Sequence, residues 1–185
     1  MSDSSKFCIY FVLLALLGSF IFIRHASCDD SPQALIDKIC RQMEEYAFCN
    51  NTFNQNLKSP NADITALTQI TVEQTLNIAT NTHTLITGLL EKATDPAVKN
   101  ALTTCENAYH VVMDSFQHAA TAFFEKDYNS MFQSEKSAPR AQASCTTIFN
   151  TPPNPPNPIT DQNTHARILI AMAIVAGTDL TSGHS

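Results

Sequence analysis

The sequence predicts an all-α protein, a bundle of long helices with a short helical hairpin in front, and three observations carry that expectation. Across residues 95–124 the apolar side chains Val98, Leu102, Cys105, Tyr109, Val112, Phe116, Ala119/Ala120 and Phe123 recur in steps of three and four, which marks one buried helical stripe. A helix of that length, about 45 Å, is not held by propensity alone and needs several partner helices to cover its stripe. Only four glycines occur in 185 residues, too few for turn-dense all-β folds or phosphate-cradling loops. Finally, Cys40, Cys49, Cys105 and Cys145 remain once the N-terminal segment is set aside, an even set that suits two disulfides in an oxidising compartment.

The chain opens with a charged start, the apolar run CIYFVLLALLGSFIFI and then RHASC. This pattern predicts a signal peptide over residues 1–28, cleaved after Cys28, with Ala26 and Cys28 at the two positions that favour small side chains. The rival is an uncleaved signal-anchor, since the apolar run is somewhat long. Secretion is the reading taken, with no membrane association after signal removal. The formal charge of −6 makes nucleic acid an unsuitable partner. The mature chain divides into a helical hairpin at 29–62, a bundle at 63–180 and a flexible tail at 181–185.

In order, Ser31-Pro32 supplies a cap and a first-turn proline for a helix that places Leu35, Ile36, Ile39, Cys40 and Met43 on one side. A second short segment carries Phe48, Phe53 and Leu57. Four cysteines allow three pairings. The nine-residue spacing of Cys40 and Cys49 fits a helix folding back on itself, which leaves Cys105 to join Cys145 and tie two bundle helices. The sequon Asn50-Asn51-Thr52 makes Asn50 a glycan acceptor expected at the exposed tip of this hairpin. KSPNA, at 58–62, reads as a linker, and Asp63 caps a long helix reaching Ala93. Its apolar face is expected to carry Leu67, Val72, Leu76, Ile78, Ala79, Leu85, Ile86, Leu89 and Leu90, with His83 at its edge.

Asp95 and Pro96 then begin the central helix. Glu125-Lys126-Asp127 interrupts its stripe, and a third long helix follows from Tyr128, with a kink or break expected at Pro139. TPPNPPNP, at 151–158, can only be an extended connector. The last helix starts near Thr160/Asp161. Its run ARILIAMAIVAG is apolar all round but too short to span a bilayer, which places it in the middle of the bundle, with a loose tail from Thr178.

A search for chemistry finds no catalytic set, no cofactor loop and no metal motif: His83, His110, His118 and His165 lack HExxH spacing, and GxSxG is absent. His110, Asp114 and His118 stand at i, i+4 and i+8 on the polar side of the central helix. Without a nucleophile this row reads as surface electrostatics or a contact site. Contact through it should weaken from about pH 5 to about 7.5, where imidazoles lose their charge.

Taken together, the cysteines 40 and 49, the linker NADI (61–64), TDPAVKNAL leading into TTCENAYHVVMDSF, then EKDYNSMF, SCTTIF and a final LIAMAIV resemble a plant invertase/pectin methylesterase inhibitor domain. The most specific part is Cys105-Glu106-x-x-Tyr109 followed forty residues after the cysteine by Cys145. The resemblance implies an up-and-down four-helix bundle preceded by the hairpin, with bridges between neighbouring cysteines. It further implies a secreted, noncatalytic inhibitor in the apoplast or cell wall that needs no cofactor, binds a cell-wall carbohydrate enzyme and blocks its active site. Invertase-directed members carry Pro-Lys-Phe near the loop between the second and third bundle helices. Here Lys126-Asp127-Tyr128-Asn129-Ser130 stands instead, matching the Asp-Tyr-Asn-Ser of methylesterase-directed members. The chain is also similar to a pollen-allergen branch named as invertase inhibitors. It lacks their relatives' Ser-Ala-Ala-Leu and acidic cluster, having Ser137-Ala138-Pro139-Arg140-Ala141-Gln142. The expected target is pectin methylesterase, then acid invertase of wall or vacuole, with a secreted carrier of apolar ligands as a third reading. Expected contacts are Lys126, Asp127, Asn129 and an exposed Tyr128, together with His110, Asp114 and His118. For Tyr128 the competing expectation is the first core position of the third helix.

Overall fold

The computed structural model describes residues 31–183, so the expected signal peptide lies outside the described residues. Seven helices follow one another there: α1 (Pro32–Cys40), α2 (Tyr46–Asn56), α3 (Ile64–Lys92), α4 (Pro96–Phe124), α5 (Tyr128–Glu135), α6 (Ala138–Phe149) and α7 (Thr160–Gly183). Sequence chemistry sets their starts. Ser31 Oγ accepts from Ala34 N–H at 3.3 Å, Asp63 Oδ1 from Ala66 N–H at 2.9 Å, and Asp95 Oδ1 from Ala97 and Val98 N–H at 2.7 and 3.1 Å. Each satisfies donors that the first helical turn leaves without a carbonyl.

Helices α3, α4, α5 with α6, and α7 form the up-and-down four-helix bundle: α4 packs on α3 and on α5/α6, and α7 closes the ring against α3, α5 and α6. Its main core joins Tyr109, Val112 and Phe116 of the central helix to Ile86, Met131, Phe149, Ile170 and Leu180. Full burial of each such side chain contributes about 1.5–3 kcal/mol. A second core seats the hairpin on the bundle, with Ile36, Ile39 and Phe53 against Leu67, Leu169, Met172 and Ala176. Lys38–Asp179 (2.9 Å) and Arg167–Glu44 (2.8 Å) ion pairs flank that seam. Both disulfides join the expected partners, Cys40 to Cys49 and Cys105 to Cys145.

The third bundle helix is broken as Pro139 predicts, because proline has no N–H to return to the Glu135 carbonyl and its ring crowds that turn. Ser137 sits in the break, its Oγ 2.6 Å from Ser115 Oγ of α4 and donating to the Ser134 carbonyl at 2.7 Å.

Four local expectations are corrected. Asn50 does not occupy the hairpin tip: the turn lies at 41–45, and Asn50 stands inside α2, half-buried, accepting from Asn54 Nδ2 at 2.8 Å. Bridging Cys40 at the end of α1 to Cys49 in the first turn of α2 fixes the turn ahead of the sequon. Leu85 is 38% exposed, because the inner face of α3 is built instead on buried Thr68, Thr71, Thr75 and Thr82 alternating with Val72, Ala79 and Ile86. Hydroxyls of Thr68, Thr71 and Thr75 satisfy themselves on carbonyls three or four residues back, so these threonines pack as small β-branched groups. No loose tail begins at Thr178: α7 runs on to Gly183 and Leu180 is fully buried. At 24 residues, with an 18-residue stretch of mean hydropathy 1.3, α7 is also long and apolar enough to cross a membrane by length and composition, but its apolar residues fill both cores.

Two buried polar groups differ sharply. Tyr109 donates to Asn163 Oδ1 at 3.0 Å, and Gln142 Nε2 reaches the same oxygen at 2.8 Å and the Asn163 carbonyl at 3.1 Å. Asn163 Nδ2 in turn donates to Thr146 Oγ1 at 2.8 Å. This set joins α4, α6 and α7, and burial pushes the Tyr109 phenol pKa above its ordinary value. Glu135 of α5, fully buried, has no hydrogen-bond partner among the described residues for either carboxylate oxygen. Burial pushes its pKa up to about 8. Gly177 faces it: a Cβ there would stand 2.6 Å from Glu135 Oε2, so the carboxylate would have to shift.

Candidate functional site

The α4–α5 turn is a Schellman closure. Lys126 N–H returns to the Phe123 carbonyl at 3.0 Å and Asp127 N–H to the Ala122 carbonyl at 2.9 Å. That geometry forces Lys126 into the left-handed region at φ 60°, where glycine is the usual occupant. Asp127 then caps α5 by accepting from Ser130 N–H at 3.0 Å. Hydrogen bonds from the Ser130 hydroxyl and N–H hold the Asp127 carboxyl below the usual carboxylate range. Lys126, Asp127 and Asn129 are exposed.

Tyr128 is not the exposed aromatic of this turn. It is half-buried as the first residue of α5, its ring 5.8 Å from Phe123 and packed on the main core. The exposed aromatic is Phe124, 67% accessible, which sequence reasoning passed over. Its signal was present: one step beyond the stripe residue Phe123, a helical residue turns about 100° away from the buried line.

On the polar side of α4, His110 Nδ1 lies 3.1 Å from Asp114 Oδ2, and both side chains are exposed. His118 is exposed too, but among the described residues it forms no ion pair with Asp114, so the expected three-membered row is a pair with a separate histidine. Continuing from the pair in helical steps of three and four leads instead through Gln117 and Thr121 to Phe124, all exposed. One strip of α4, about 20 Å long, therefore runs from His110 to the turn. At its far edge α3 contributes His83, whose ring lies 6.3 Å from that of His110, and Thr87, which donates to Glu106 Oε1 at 3.3 Å.

Such a strip offers a graded surface: an aromatic end, a charged turn and a polar middle. Among the described residues no group of three His, Cys, Asp or Glu side chains is arranged to hold a metal ion.

Residues 34–175 match the family model for plant invertase/pectin methylesterase inhibitors. A "Pectinesterase inhibitor" of Actinidia deliciosa is 28% identical over 154 residues, 82% of this chain and 83% of that protein. A Platanus acerifolia protein named "Putative invertase inhibitor" is 27% identical over 165 residues, 88% of this chain and 89% of its own length. In fold, the chain superposes on the crystal structure of a mutant form of an Arabidopsis pectin methylesterase inhibitor with a TM-score of 0.68, at 20% identity, over 77% of this chain and 95% of that one. These relatives are enzyme inhibitors and not catalysts. The chain belongs to the plant invertase/pectin methylesterase inhibitor family.

Proposed function

We propose that this protein is a secreted, stoichiometric inhibitor of pectin methylesterase that lays the α4 strip and the α4–α5 turn over the enzyme's active-site cleft. The observation that carries the reading is the exposed Phe124 standing beside Lys126 and Asp127 at the end of the strip. Aromatic rings, Phe among them, are enriched in interface cores, and the rim around such a core is polar. The Asp127-Tyr128-Asn129-Ser130 sequence and the similarity to the Actinidia inhibitor favour a methylesterase target. Acid invertase is the second reading, favoured by the comparable similarity to the Platanus protein.

Purified mature protein should be titrated against pectin methylesterase and against acid invertase. The proposal expects the methylesterase to lose activity with an equimolar endpoint while invertase is spared. Inhibition of invertase alone moves the target to the second reading, and inhibition of neither defeats both. Phe124→Ala should weaken inhibition by about tenfold or more with an unchanged melting temperature, because an exposed ring contributes to binding and little to the fold. Tyr128→Ala should lower the melting temperature first, because that ring covers the core. The double variant His110→Gln, His118→Gln tests the polar middle of the strip: an unaltered inhibition constant would confine the contact to the turn.

A further inference from the structure

Where α2 lies against α3 and α7, the three helices enclose a surface pocket of about 250 Å³ that no part of the proposed inhibitory surface shares. Its walls contain no carboxylate, lysine or arginine. Amides dominate them instead, from Gln55 of α2 and Gln74, Asn77 and Asn81 of α3.

Some of this amide capacity is spent on the fold. Gln74 Nε2 donates to Asn56 Oδ1 at 3.0 Å, bracing α3 to α2, and Asn81 Nδ2 donates to Asn77 Oδ1 at 3.1 Å. What remains without a partner among the described residues is the whole Gln55 amide, the Asn77 NH2 group, and the Gln74 and Asn81 side-chain oxygens. Donors and acceptors are thus both left over, in one small concavity. Phe48 and His165 supply an aromatic wall, their rings stacked on each other with centroids 4.5 Å apart and planes 9° from parallel. Ile78 and Leu169 complete the apolar lining.

The chemistry of these walls selects a ligand class. An ionised ligand would meet no fixed opposite charge. An apolar one would strip water from four amides and return no hydrogen bonds, at about 1–3 kcal/mol for each group left unsatisfied. A ligand with hydroxyls around its edge and C–H groups on its face answers both parts of the lining, since each hydroxyl can donate and accept. We infer that this pocket is a binding site for an uncharged sugar, a single hexopyranose unit packed against the Phe48–His165 pair with its hydroxyls held by the Gln55, Gln74, Asn77 and Asn81 amides.

The test follows the side-chain NH2 resonances of 15N-labelled mature protein during titration with methyl galactopyranoside, with sucrose and, as the charged control, with sodium glucuronate. The inference expects saturable shifts of the Gln55, Gln74 and Asn77 amides with at least one of the neutral sugars, and binding at least about tenfold weaker for glucuronate. In Gln55→Leu, Asn77→Leu, two exposed positions, the neutral-sugar affinity should fall by about tenfold or more while the far-ultraviolet circular dichroism and melting temperature stay unchanged; the single Gln55→Leu variant serves if the double one does not fold. No saturable shift with either neutral sugar, an equal response in the variant, or glucuronate bound as tightly as the neutral sugars would each overturn it.

Discussion

The two halves of the broken third bundle helix are held in opposite ways. Helix α6 is bridged to α4 through Cys105–Cys145, and its one buried polar side chain, Gln142, finds its partners in Asn163 and Thr146. Helix α5 begins after a lysine in left-handed geometry and ends on Glu135, a buried carboxyl with no hydrogen-bond partner among the described residues, facing Gly177. The difference teaches where this fold keeps its rules and where it departs from them. Satisfied networks fix one arrangement of helices, whereas local violations persist only where the surroundings over-determine them, and such places collect near functional surfaces. Here the left-handed Lys126 lies in the turn that carries the exposed Phe124, and Glu135 stands at the far end of α5.

Breaking the well-satisfied half should produce the largest change. Cys105→Ser, Cys145→Ser removes a bridge across a sequence separation of 40 and should cost about 4 kcal/mol by loop entropy, read as a lower urea midpoint. Cys40→Ser, Cys49→Ser, across a separation of 9, should cost less, about 3 kcal/mol.

Glu135 makes the other half sensitive to pH, and the sign is fixed by its raised pKa. Below the unfolded value of about 4.5 both states hold the proton and the bundle is at its most stable in this respect; from there to about 8 only the folded state holds it, so stability falls as pH rises. The loss should be on the order of a few kcal/mol and should level off above the folded pKa. Glu135→Gln carries no titrating group and should flatten this part of the profile, measured as urea midpoints across that range. An unchanged slope in the variant would mean that the carboxyl is not the source.

A smaller effect distinguishes strain from contact at the turn. Lys126→Gly removes a side chain from left-handed geometry but adds freedom to the unfolded chain, so it should stabilise by less than about 1 kcal/mol. If Lys126 also meets the target, the same variant weakens inhibition while the melting temperature rises.

Much of the fold was legible because its signals are local. Asp63, Asp95 and Pro96 declare helix starts through the hydrogen bonds they make or do without, and Pro139 declares the break through the one it cannot make. The disulfides were legible from spacing. What sequence hid depends on tertiary placement. Buried Thr68, Thr71 and Thr75 took the inner face of α3 because their hydroxyls are satisfied on their own helix, so leucine count misjudged Leu85. Glu135 reads as an ordinary surface carboxylate until α7 is seen to bring Gly177 against it. At the α4–α5 turn, Lys126, Asp127 and Asn129 are exposed as the sequence predicts, but Tyr128 and Phe124 exchange places because the Schellman closure turns Tyr128 inward against Phe123.

The proposed inhibitory contact is one strip of α4 and its closing turn, on a part of the bundle separate from the hairpin's seat on α3 and α7. Hydrogen exchange of the mature protein, free and in equimolar complex with pectin methylesterase, measures this directly. Protection gained across residues 110–129, with α1 and α2 unchanged, is the predicted result. Protection gained in the hairpin while residues 110–129 exchange as in the free protein would contradict it.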